Sequence, residues 1–198
     1  MPVQRSAANA LRSATTRVDV SAATAPSNGQ VLTATSSTAA TWQTPSGSAW
    51  SVLADVNLGS AASTLSSGTI TAKTRLRITI MTPGFSSNDI PRIQFNGDTA
   101  SNYRHEVSVD GASTTVTASA PGINMDTTNR SNVTLIIMDV YNAGGDGFVV
   151  RGQSYLPGIL IDFGGRHNTT ANITSVTLRG VGGANLQSGT RMIIEGAT

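Results

Sequence analysis

Cysteine is missing altogether from the 198 residues, which excludes disulfide staples and thiolate metal sites. Lysine occurs once, at Lys73, and the arginines are scattered along the chain rather than gathered in a stripe. Nucleic-acid binders concentrate their cations and interleave stacking rings. Aromatics are only 5% here, so no nucleic-acid partner is expected. Charged residues make up 12%, too few for a set of charge-striped amphipathic helices. No apolar run is long enough to span a bilayer, and the opening MPVQRSAANALRSATTR lacks the apolar stretch of a secretion signal. The expectation is a soluble protein, made in a cytoplasm, with no membrane partner.

What abounds instead is Ser, Thr, Ala, Asn and Gly, the composition of short strands and turns. A length of 198 residues suits one ordinary domain with an appendage. The net charge is +2 and the pI about 9.5, with one local concentration: Arg5, Arg12 and Arg17 all precede the first acid, Asp19. A basic tip of this kind suits docking on an acidic surface. Residues 1–28 are short of large apolar side chains, cannot build a core, and read as an extended arm. Residues 29–48 read as a short β connector, with strands over 31–35 and 41–43 and Trp42 as its one large apolar anchor. Residues 49–198 form the body.

Period-2 patterning dominates that body. Leu76, Ile78 and Ile80 share one strand face while Arg75, Arg77 and Thr79 share the other. Asn96-Gly97-Asp98 and Asp110-Gly111 are hairpin turns by their tolerance of positive φ. The most apolar run, 133–141, reads as a central strand covered on both faces. Residues 148–151 and 159–163 read as two more strands, the second bounded by Gly158 and by Gly164-Gly165. With 173–178 and 191–194 the count reaches about nine to eleven strands, at the turn spacing of a sandwich. The fold class expected is all-β, an antiparallel β-sandwich of jelly-roll type with an extended N-terminal arm.

Two sets of motifs carry a family resemblance. The segment GQVLTATSSTAATWQTP, residues 29–45, resembles a connector in bacteriophage virion proteins, where a Gly-Gln-Val-Leu-Thr run and a Thr-Trp pair precede a β-rich head. In the body, Phe95-Asn96-Gly97-Asp98 with Asn102-Tyr103 resembles a hairpin of phage surface sandwiches. Residues 172–178 resemble their penultimate strand, and LQSGTRMIIEG, residues 186–196, resembles their closing strand, with Glu195 where an aromatic is usual. The resemblance covers about two-thirds of the chain and brings no catalytic residues. It implies a β-sandwich on a virion surface, made in the host bacterial cytoplasm, with the connector intertwined in a homotrimer.

Little in the sequence supports catalysis. His105 and His167 lack partners at useful spacing, and His105 and Glu106 point to opposite faces of a strand. Asp139, Asp146 and Asp162 are the acids a polysaccharide-cleaving pair would draw on, but no repetitive β-helix pattern accompanies them. Asp146 within Gly144-Gly145-Asp146-Gly147 is a turn rather than a calcium loop. The reading is therefore no enzyme, no cofactor and no metal. The chain is expected to be a structural protein that binds the major capsid protein as a decoration or head-fibre protein, through Arg5, Arg12, Arg17 and Trp42. The alternative is a tail-fibre or tail-tip module that recognises a host surface glycan on exposed aromatics, with Phe85, Tyr103 and Tyr155 as candidate platforms.

Overall fold

The structure is a computed structural model that describes residues 10–12, 17–19, 27–37, 40–45, 50–112, 114–132, 135–142, 147–169 and 171–197. The chain divides into two compact units, residues 1–48 and 49–198. In the first unit β1 (Ala10–Arg12) pairs with β2 (Arg17–Asp19), in a register that sets Arg12 opposite Arg17. There β3 (Val31–Ala34) also pairs with β4 (Ala40–Gln43), and Trp42 lies opposite Leu32. Two-stranded ribbons of this length are marginal in water when they stand alone. Arg5 lies outside the described residues.

The second unit is an antiparallel β-sandwich, with no helix among its described residues. Its strands are β5 (Ser51–Asn57), β6 (Thr64–Ser66), β7 (Arg75–Met81), β8 (Pro91–Phe95), β9 (Tyr103–Val109) and β10 (Thr115–Ala120), followed by β11 (Ile123–Asn124), β12 (Leu135–Asn142), β13 (Phe148–Leu156), β14 (Ile159–His167), β15 (Val176–Gly180) and β16 (Arg191–Ala197). One sheet has eight strands in the order β10-β9-β14-β13-β12-β7-β16-β5, and the other has four in the order β11-β8-β15-β6. Both contribute to one apolar core. Ile78, Ile80, Ile136, Met138 and Ile194 come from the large sheet; Ile93, Phe95, Ile123, Val176 and Leu178 come from the small one.

The alternation along β7 is the expected one, with Leu76, Ile78 and Ile80 buried and Arg75 and Arg77 exposed. Asn96 at φ 55° and Asp110 at φ 49° form the two turns read from the sequence. Three expectations need correction. The described part of the run 133–141, residues 135–141, is central, but among the described residues only one of its faces is covered: Ile136, Met138 and Val140 are buried while Ile137 and Tyr141 are each 37% exposed. Gly164-Gly165 does not end β14, which runs on to His167, and β13 runs through Gly152 to Leu156. Glycine is required inside these strands because neighbours occupy the space a side chain would fill. A Cβ on Gly152 would lie 2.5 Å from Cζ of Phe163, and one on Gly165 would lie 2.8 Å from the Arg104 carbonyl oxygen.

Three aspartates fix the loops. The buried carboxylate of Asp89 accepts from the backbone N–H of Ile90 (2.7 Å), Gly182 (2.7 Å) and Ala184 (2.8 Å). Asp126 accepts from Thr127 and Thr128 and from Arg130 Nε at 2.9 Å. Asp98 accepts from Asn102 Nδ2 at 2.9 Å and lies 2.7 Å from His167 Nε2.

Candidate functional site

In β13, β14 and β9 alternate residues point away from the core, and the registers bring nine of them into a three-by-three grid. From β13 come Val149, Arg151 and Gln153; opposite them on β14 stand Arg166, Gly164 and Asp162. On β9, Arg104, Glu106 and Ser108 face Arg166, Gly164 and Asp162 in turn. The central position is the glycine. Eight side chains therefore ring a floor that has none, and the result is an open depression of about 760 Å³ on the outer face of the large sheet.

A second depression of about 320 Å³ adjoins it and shares Arg151, Gly152 and Asp162, extending the groove across the strands to Gln153, Ile137, Asp139 and Tyr155. A short polar relay marks the seam. Tyr155 Oη donates to Gln153 Oε1 at 2.6 Å, and Gln153 Nε2 donates to Asp162 Oδ1 at 2.8 Å.

Arginine is treated differently at the two ends of this face. Toward β5, Arg191 pairs with Asp55 through Nε at 2.7 Å, and Arg77 Nε donates to Asp139 at 3.0 Å while its guanidinium lies over Trp50. The hydrogen bond to Asp139 raises the pKa of Arg77 further. Arg75 lies 5.0 Å from the Tyr141 ring centroid. Around Gly164, by contrast, Arg104, Arg151 and Arg166 have no ion pair among the described residues. Arg104 and Arg166 are also directly opposed in register, an arrangement that costs stability when nothing lies between the charges.

The sequence-based candidates distribute unevenly over this geometry. Tyr155 is 37% exposed and borders the groove. Phe85 and Tyr103 are core side chains, 1% and 0% exposed, and so provide no recognition platform. Tyr103 packs against His167 with centroids 4.1 Å apart and the rings tilted by 31°, and its hydroxyl accepts from Phe95 N at 2.9 Å. Burial pushes the phenol up to about 12. Trp42 is half-buried. The residues that line the groove were missed by the sequence reading, apart from Tyr155 and the acids Asp139 and Asp162. The available signal was the outward arginine at alternate positions on either side of a glycine.

The histidines serve packing. His167 holds Asp98 on Nε2 and the Thr169 hydroxyl at 2.8 Å on Nδ1. This line of hydroxyl, imidazole and carboxylate ties the 96–102 loop to the end of β14, with the ring 1% exposed beneath Tyr103 and Phe148. His105 is buried with Nδ1 unpartnered, and burial lowers its pKa. Among the described residues no three His, Asp or Glu side chains cluster in a way that suits a metal ion.

Comparison with known proteins names no family. No family model matches the chain, and no curated protein does. Among solved structures, the crystal structure of galectin LEC-6 from Caenorhabditis elegans is similar over 70% of this chain and 94% of that one, at 12% identity and a TM-score of 0.31. A likeness this slight carries no argument about what either half of the chain binds.

Proposed function

We propose that the chain is a non-enzymatic structural protein of a bacteriophage virion, attached to the capsid by its N-terminal unit and presenting its β-sandwich outward. The observation that carries this reading is the contrast in self-sufficiency between the two units. The body owns a continuous apolar core, whereas the described residues of the first unit form two two-stranded ribbons, elements that are marginal in water without a partner. Arg5, Arg12 and Arg17 all precede the first acid in the sequence, a local positive charge that an acidic shell surface would complement. The sequence resemblance of residues 29–45 supports the same role and a threefold assembly in which connectors intertwine. Many weak arm contacts then act together.

Co-sedimentation with DNA-filled capsids that lack this protein tests the reading. Saturable binding at many copies per shell is expected, and deleting residues 1–24 is expected to abolish it while leaving a folded body. Undiminished occupancy by the truncated chain would move attachment to the body and overturn the assignment of the arm.

A second reading is favoured by the groove on the outer face: a receptor-binding module of a tail fibre that recognises a host surface glycan. The two readings differ in which unit binds. Attachment to isolated tails or host cells, with no binding to shells, selects the second.

A further inference from the structure

We propose that the outer-face depression centred on Gly164 is a binding site for an acidic saccharide chain, with a sugar carboxylate held between Arg104 and Arg166. The proposal deepens the glycan-recognition reading and rests on it; it is independent of how the arm attaches.

Four features of the site lead there. Arg104 and Arg166 are partners in register across β9 and β14, exposed and without an ion pair among the described residues, so their guanidinium groups are available to fork around one planar carboxylate. Such a ligand also removes the repulsion between them. Second, the ring is of mixed sign: Arg151 faces Glu106 across Gly164, and Asp162 stands beside them. Three arginines against two carboxylates leave one positive charge over. That balance suits a ligand with isolated single charges among many hydroxyls, because carboxylates accept from hydroxyl groups and guanidinium groups donate to them. A phosphodiester chain, with a charge on every unit, would be repelled by Glu106 and Asp162.

Third, the depression contains no exposed aromatic ring on which bases would stack, as Phe163 is its one aromatic and is 3% exposed. Fourth, the adjoining hollow extends the groove across the strands, and the partly exposed ring of Tyr155 at its edge offers an apolar surface to the carbon face of a neighbouring sugar. The groove is thus shaped for a chain of residues, with its anionic subsite at the Gly164 end.

The test is titration calorimetry of the full chain against oligohyaluronate, unsulfated oligochondroitin and sialyllactose, in which neutral sugars separate or accompany the carboxylates, each beside its carboxyl-reduced counterpart, and against a thymidine oligonucleotide. Binding to at least one acidic oligosaccharide is expected, with none to its reduced form. Affinity should weaken as salt rises. Arg104→Ala and Arg166→Ala should each weaken binding by about ten- to a hundredfold, the loss expected for a charge-assisted pair. Arg104→Lys should fall between, since it keeps the charge and loses the fork. Arg191→Ala, whose partner is Asp55 outside both depressions, should leave the affinity unchanged. Thermal unfolding of each variant confirms that it is folded.

Several results would overturn the proposal. Equal affinity for acidic and reduced forms would leave a neutral glycan site and preserve the broader reading. Tighter binding of the oligonucleotide would assign the face to nucleic acid. Wild-type affinity in both arginine variants, or no binding to any of the three saccharides, would remove the carboxylate subsite.

Discussion

The two faces of the large sheet are made by alternate residues of the same strands, yet they obey different rules. Along β9, Tyr103, His105 and Val107 point inward and are at most 3% exposed, while Arg104 and Glu106 between them are exposed. The inner face is closed: its polar atoms are paired with few exceptions and its glycines are in contact with neighbours. The outer face holds three arginines with no ion pair among the described residues, and a hollow. Stability and recognition are therefore separated with a period of two along each strand, so sensitivity to mutation should alternate at the same period.

The largest expected effect breaks the inner face. Ile78→Ala removes a fully buried side chain from β7 and should destabilise the body by about 2–5 kcal/mol in chemical denaturation. Its outward neighbour Thr79, changed to Ser, should stay within about 0.5 kcal/mol. Comparable losses at both positions would mean that the outer face is packed against something in solution, as a trimer contact would require.

Next comes the loop held by Asp89. Burial pushes this carboxyl up, but the amides of Gly182, Ala184 and Ile90 together outweigh it and hold its pKa below the ordinary 3.8. A depressed carboxylate contributes stability that is fully present above the unfolded value and is lost as pH falls through the folded one. Asp89→Asn sets an N–H donor against a backbone N–H and should cost about 1–3 kcal/mol at neutral pH, with a shallower acid limb below about pH 4.

His105 gives a smaller effect in a different window. Its pKa lies below the ordinary 6.5 because burial disfavours the imidazolium and Arg92 opposes it, although the Gly122 backbone favours it. As pH falls below 6.5 the unfolded chain takes up a proton that the folded chain refuses, so stability declines between neutral pH and the lowered value. His105→Gln retains a side-chain donor without titrating. Urea midpoints measured from pH 7 to pH 5 should slope in the wild type and flatten in the variant.

The inner face was largely legible in the sequence. Leu76, Ile78 and Ile80 announced it by period alone, and Asn96 and Asp110 marked turns whose positive φ is observed. What misled was local chemistry read without its sheet. Gly164-Gly165 looks like a strand end, and only the register shows that Gly165 lies against the Arg104 carbonyl while Gly164 floors a hollow. The run 133–141 is apolar enough to look buried on both sides, but among the described residues no second layer covers Ile137 and Tyr141. Phe85 and Tyr103 look like exposed loop aromatics because they adjoin turns, whereas both fill the core beneath those turns. The groove was invisible for a related reason: its members come from three strands, and only pairing brings Arg104 opposite Arg166.

The smallest expected effect is the sharpest test of the separation, because its sign is unusual. Most substitutions destabilise. Arg104→Ser removes an exposed charge that stands opposite Arg166 with no acid against it among the described residues, so it should raise the unfolding midpoint slightly, by an amount equivalent to about 0.2–1 kcal/mol. The gain should shrink as salt screens the pair and should be absent in an Arg166→Ser background, where the repulsion is already gone. Arg77→Ser, on the same face but paired with Asp139, should instead lose a few tenths of a kcal/mol. If both arginines behave alike, the face is uniform and the hollow at Gly164 is only a gap between side chains. If they differ in sign, the fold is maintaining an electrostatic cost at the one place where a ligand of opposite charge would relieve it.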